Sequence, residues 1–148
     1  MSLATDIADA VAAELNSAPP GTFSQSLAAE RRVLPEFDLQ DLAELKVTVV
    51  PKSVEISGVT RASAQYEIAV DIGVQKKLGK DLDAEVAVLG TLVDQLADYL
   101  RSRSLEQAPY AAWVCIANDP VYAPEHLAER RVFTSVLTVT YRAVKQST

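Results

Sequence analysis

The sequence predicts an α+β fold: a two-layer domain with a mainly antiparallel β-sheet, an N-terminal helix and one long helix packed on one face. Three observations predict it. Apolar residues recur at helical spacing in two segments, about 3–16 and about 81–103. They recur at every second residue in segments near 46–57, 62–75 and 132–144. Strands follow one another through short connections, which favours antiparallel pairing over the alternating βαβ order of a parallel sheet. A chain of 148 residues suits a single domain over 1–148.

In chain order, Leu3, Ile7, Val11 and Leu15 recur every fourth residue beside Ala4, Ala8 and Ala12, the narrow apolar face of a helix. Asn16-Ser17-Ala18-Pro19-Pro20-Gly21 ends it, because proline lacks the amide that a further turn needs. Residues 17–29 read as an exposed, mostly polar connection. A short extended segment over about 31–37 contains Pro35, which suits an edge strand. Phe37 to Leu45 reads as a turn of helix capped by Asp38. Lys46 to Val50 alternates up to Pro51, and Val54 and Ile56 carry the extended reading to about residue 57.

The strand at 62–75 is clearer. Tyr66, Ile68, Val70, Ile72 and Val74 share one face; Glu67, Ala69, Asp71, Gly73 and Gln75 share the other. Such a pattern means one buried face and one more polar face. Leu82, Val86, Leu89, Val93, Leu96 and Leu100 then form the seam of the long helix. Asp81, Asp83 and Glu85 at its start and Arg101 and Arg103 at its end complement the helix dipole. Ala111 to Ile116 reads as a short strand buried on both faces, with Trp113 in the core and Cys115 as a small buried hydrophobe. Residues 117–131 read as a loop punctuated by Pro120 and Pro124. Phe133, Leu137, Val139 and Tyr141 alternate with Thr134, Thr138, Thr140 and Arg142 in a closing strand. Ala29-Glu30-Arg31-Arg32-Val33 recurs as Ala128-Glu129-Arg130-Arg131-Val132, an echo too short to be a repeat.

The chemistry-bearing residues are sparse. Net charge is −6, and the basic residues come in pairs with acids close by, which argues against general nucleic-acid binding. The single cysteine allows no intramolecular disulfide and suits a reducing compartment. The first residues lack the basic flank and apolar run of a signal peptide, and no apolar stretch nears the ~20 residues of a membrane span, so assembly in a cytoplasm is expected.

Gly73-Val74-Gln75-Lys76-Lys77-Leu78-Gly79-Lys80-Asp81 is a poor phosphate loop: five residues separate the glycines, and an acid follows the lysine where a hydroxyl is needed. It suits a strand-to-helix turn. His126 is the only histidine, and with Cys115 it makes two of the four ligands of a structural zinc site. Glu36, Asp38, Asp41 and Glu44 read as the solvated face of an amphipathic turn rather than an acid–base pair. No enzymatic activity, catalytic residue, cofactor or metal is therefore expected. Aromatic and arginine side chains are favoured at protein interfaces, which makes Phe37, Tyr122, Arg130 and Arg131 the candidate contact residues.

Several patches resemble a known family. They are Thr22-Phe23-Ser24, Glu30-Arg31, Leu45 to Lys52, Asp71 to Lys77, Ile116 to Tyr122, Glu125-His126-Leu127 and Arg131 to Thr138. Together these resemble small phage and prophage structural proteins encoded among head–tail joining and tail genes. Within that group the tail terminators of long-tailed phages are similar in size, acidity and α+β composition. The resemblance implies a homo-oligomeric ring, of six subunits, at the head-proximal end of the tail tube, where it ends tube growth. Its partners would be further copies of itself, the tail tube protein and the neck or stopper protein. DNA would only pass through the lumen, with no sequence-specific binding, and no membrane would be involved. The location implied is the neck and tail of the virion, assembled in the host cytoplasm. A head-completion or stopper protein, or a cytoplasmic assembly helper absent from the virion, are the alternatives. The resemblance brings no catalytic or ligand residues with it.

Overall fold

The computed structural model describes residues 2–33 and 41–146. Its elements run α1 (Leu3–Asn16), β1 (Ala29–Arg31), a short 3-10 turn (Asp41–Ala43), β2 (Lys46–Thr60), β3 (Ser63–Lys77), α2 (Leu82–Leu100), β4 (Ala112–Asn118), α3 (Pro124–Arg130) and β5 (Val132–Gln146). The strands form one five-stranded sheet in the order β1-β2-β3-β5-β4. β1 lies parallel to β2, and every other junction is antiparallel. The fold is α+β, with a mixed sheet.

Alternation along the central strands decides where the core sits. Val47 lies opposite Val74, and Val49 opposite Ile72. On the other side of β3, Ile72 meets Leu137, Val70 meets Val139 and Ile68 meets Tyr141. All of these are buried and join one cluster with Ile7, Val11 and Leu15 of α1 and with Leu89, Leu92, Val93, Leu96 and Leu100 of α2. Both helices therefore share one face of the sheet. Ser2 and Asp81 cap them, their side chains accepting from the amides of Thr5 (3.1 Å) and Ala84 (3.2 Å).

At the far end α2 stops at Leu100, short of residue 103. Arg103 then turns back, its Nε donating to the Tyr99 carbonyl at 2.9 Å, so a cation does meet the negative helix end. The same guanidinium lies 3.5 Å from the carboxylate of Glu14, a nearly buried acid whose other oxygen accepts from the Glu106 amide at 2.9 Å. Glu14 thus ties α1 to the segment that follows α2.

The structure refines some of these expectations and corrects others. The 17–29 connection is largely exposed, as expected, and is also held to the domain: Asn16 exchanges two side-chain hydrogen bonds with the Ala29 backbone (2.9 and 2.7 Å), and Phe23 stacks edge-on against Tyr99. The first strand occupies 29–31 and stops before residues 32–33; residues 34–40, the rest of the expected 31–37 segment with Phe37 and the proposed cap Asp38, lie outside the described residues. β2 runs on past Pro51, as the extended reading to about residue 57 has it, by a register shift between Pro51 and Ser53, one of the few places where a sheet tolerates proline. β4 is an edge strand rather than one buried on both faces; Cys115 is exposed and Trp113 half-buried against the core, because one apolar run looks the same at the edge as at the centre of a sheet. The 117–131 loop contains α3, opened by Pro124 in its first turn. α3 buries no residue, so it carries none of the apolar periodicity that marks a helix. The pentapeptide echo is consequently strand in its first copy and helix end in its second.

Two outcomes follow from this packing. Leu89→Ala should cost about 2–5 kcal/mol, seen as a marked fall in Tm, because Leu89 is buried mid-seam; Asp94→Ala, on the exposed side of the same helix, should leave Tm nearly unchanged. Burial, with the nearby Glu14 charge, pushes the Tyr141 phenol well above its ordinary value of 10.0. Below pH 10 that phenol is neutral in both folded and unfolded chains; above it the unfolded chain alone ionises, binds fewer protons and gains stability relative to the fold. The Tyr141 hydroxyl also has no hydrogen-bond partner among the described residues. Tyr141→Phe should be neutral or stabilising at pH 7, and should flatten the loss of stability above pH 10 in melts across a pH series.

Candidate docking surface

β2, β3 and β5 each contain fifteen residues, which at ~3.3 Å per residue makes them about 50 Å long. α1 and α2 have fourteen and nineteen residues, about 21 and 28 Å at 1.5 Å per residue. Helices of that length leave part of the strands uncovered. The consequence is visible in β2, which is exposed at every residue from Lys52 to Thr60. Pairing nevertheless continues to the tips, with Thr60 opposite Ser63 and Ser63 opposite Gln146. The upper part of the sheet is therefore a three-stranded arm, closed at its turn by the Thr60 and Ser63 hydroxyls at 2.9 Å.

The register shift at Pro51 sets which way the arm's side chains point. Beyond it Val54 lies opposite Ile68 and Ile56 opposite Tyr66, so both stand on the core side of the sheet with no helix above them. Val54, Ile56, Val59 and, on β5, Val144 are 40–59% exposed. Lys145 stands 5.2 Å from the centre of the Tyr66 ring, and Arg142 pairs with Glu67 across the strands at 2.6 Å. Lys52, Arg61, Arg142 and Lys145 face three acids here, Glu55, Glu67 and Asp71 (3.9 Å from Lys52), a small basic excess in a chain whose net charge is −6. β1 pairs only with Val47–Val49, so among the described residues nothing pairs with the outer edge of β2 along the arm.

The candidate contact residues lie at the other end of β5. Tyr122 is exposed beside Val121, in a segment held to β5 by the Ala123 amide on Thr134 (2.9 Å) and the Val136 amide on Pro120 (3.2 Å). Arg131 takes a left-handed conformation (φ 51°). Its guanidinium donates to the Gly79 carbonyl at 2.7 Å, and its carbonyl accepts from the Leu78 amide at 2.7 Å. It thus fastens α3 to the turn before α2, while Arg130 is exposed. Phe37 lies outside the described residues.

The residues weighed for catalysis do not converge. His126 Nδ1 pairs with the Thr134 hydroxyl at 2.8 Å, whereas Cys115 sits opposite Thr140; six residues of strand separate those positions, about 20 Å. Gly73 lies inside β3, and the Gly79 amide already donates to Glu85 at 2.8 Å, so no phosphate cradle exists there. No group of three or more potential metal ligands occurs among the described residues, and no described helix is long and apolar enough to cross a membrane. Asp41 and Glu44 are exposed; Glu36 and Asp38 are outside the described residues. No protein-family model and no curated protein matches the chain.

The arm escaped sequence reading because Ser53-Val54-Glu55-Ile56-Ser57 alternates just as a half-buried strand does. Strand length set against helix length was the available signal. Ile56→Ser should change stability by no more than about 0.5 kcal/mol, as surface substitutions do, whereas Ile72→Ala one strand away should cost about 2–5 kcal/mol; denaturant melts of the two variants read the difference.

Proposed function

We propose that this protein is a structural subunit that acts by joining: copies of it close into a ring that ends the tail tube of a long-tailed phage at its head-proximal end. The observation that carries the joining role is the arm, which holds apolar side chains in water on strands paired to their tips. An isolated domain gains nothing from that arrangement, and a neighbouring protein surface would bury them. The resemblance of the sequence patches to phage head–tail joining and tail proteins supports the finer role, and a ring of six follows from that resemblance.

Ring contacts are heterologous: one patch meets a different patch on the next copy, and a suitable rotation closes the circle. The acidic balance suits a passage for DNA, since carboxylates lining a lumen repel phosphates and let the polymer slide. Tyr122 and Arg130, exposed at the end opposite the arm tip, are available to the tail tube protein or the neck protein.

The test is removal of the protein from the phage that carries its gene, combined with imaging of intact particles. Tubes of uncontrolled length that fail to join heads, and a ring at the head-proximal tail end, are expected. Tails of normal length with leaking heads would transfer the role to a stopper. Absence of the protein from finished particles would make it an assembly helper, and a hydrolytic activity lost in His126→Ala would overturn the structural role altogether.

A further inference from the structure

The sheet has two open edges, and they lie at opposite ends of the strand order. One is the outer edge of β2 along the arm, from Ser53 to Thr60; the other is the outer edge of β4. Neither has a pairing partner among the described residues. Open edges are templates for strand addition, and proteins usually blunt them. Here the β2 edge is preceded by Pro51 and Lys52 and has a register shift near each end, yet leaves Val54, Ile56 and Val59 in solvent.

We infer that the arm of one subunit pairs through its β2 edge with the β4 edge of a second copy, so that the sheet continues from subunit to subunit. This rests on the ring reading and specifies its contact. Three features favour a second copy, and this edge of it. Direction is the first: β2 and β5 run one way and β3 and β4 the other, so a sheet continued in the same sense brings β4 antiparallel to β2, the slightly stronger arrangement.

Charge is the second. The arm has a small basic excess and the remainder of the chain is strongly acidic, so arm against arm is repelled while arm against another part of a second copy is attracted. β4 itself has no charged residue, and Glu106 and Asp119 flank it in sequence. The third is fit. β4 has seven residues and the open β2 edge eight. β4 lies level with residues 137–142 of β5, and the β2 edge with residues 140–146. Full overlap needs a stagger of about four residues, which tilted strands in a closed ring supply.

Cys115 makes the contact directly testable. It is exposed on β4, opposite Thr140, on the polar side of the sheet. Ser53, Glu55 and Ser57 stand on that same side of β2. Ser53→Cys, Glu55→Cys and Ser57→Cys are prepared one at a time, concentrated until sedimentation shows association, and treated with a mild oxidant. At least one should give a ladder of disulfide-linked multimers that disappears with reductant and is lost when Cys115→Ser is added. A ladder running past the dimer marks a heterologous contact, because each subunit then contributes both edges. Linked dimers that persist with Cys115→Ser would mean arm meets arm, and would overturn the inference. Association without any Cys115-dependent link would overturn it too, while leaving the ring reading intact. Absence of association at every concentration would sink both.

Discussion

Strands longer than the helices that cover them set the rest of this structure. A sheet face in water is stable where a second layer removes its apolar side chains from solvent. The second layer does that for one part of β2, β3 and β5, and on β2 the cover ends at the register shift at Pro51. Below that line the molecule is an ordinary two-layer domain. Above it Ile68, Tyr141 and Ala143 of β3 and β5 still join the core, while β2 continues in water with Val54, Ile56 and Val59 exposed. The division between folding and contact is thus made within single strands, not between domains.

The covered half is fixed by more than apolar packing. Glu14 is nearly buried among groups that satisfy it, with Arg103 beside one oxygen and the Glu106 amide on the other. A carboxylate in that position is costly unless paired, so α1 and the segment after α2 are held to one arrangement. Asn16 does the same work on the other side, joining the end of α1 to β1 through both groups of its amide. Arg131 completes the set by linking α3 to the turn before α2. These polar ties surround a core that is otherwise apolar, and they lock the helices at the places where the connections leave the sheet.

What could be read from the sequence follows the same division. The seam from Leu82 to Leu100 and the alternation from Tyr66 to Val74 were legible because both report burial against a neighbour inside the chain. α3 was not, since its seven residues bury nothing and leave no periodic trace. The edge position of β4 was hidden for a different reason. Ala111 to Ile116 is apolar throughout, and composition does not say which side of a strand has a partner. The arm was legible as strand but not as exposed: Val54 and Ile56 alternate with polar residues because they share a face, and alternation is silent on whether anything covers that face. Of the candidate contacts, Tyr122 and Arg130 were legible as exposed, whereas Arg131 turned out to bind its own chain.

The shift at Pro51 has one more consequence, for how such a surface changes over time. Val47 and Val49 are odd-numbered and Val54 and Ile56 even-numbered, yet all four stand on one side of the sheet, because two residues of β2 share one step of β3 there. Loss of a single codon at Lys52 would restore an unbroken pleat and leave Val54 opposite Ile68 and Ile56 opposite Tyr66, on the side they hold now. The covered half lies upstream in the strand and would keep its phase. A lineage could therefore gain or lose the residue at the shift in one genetic event and keep both the domain and the outward-facing surface of the arm as they are.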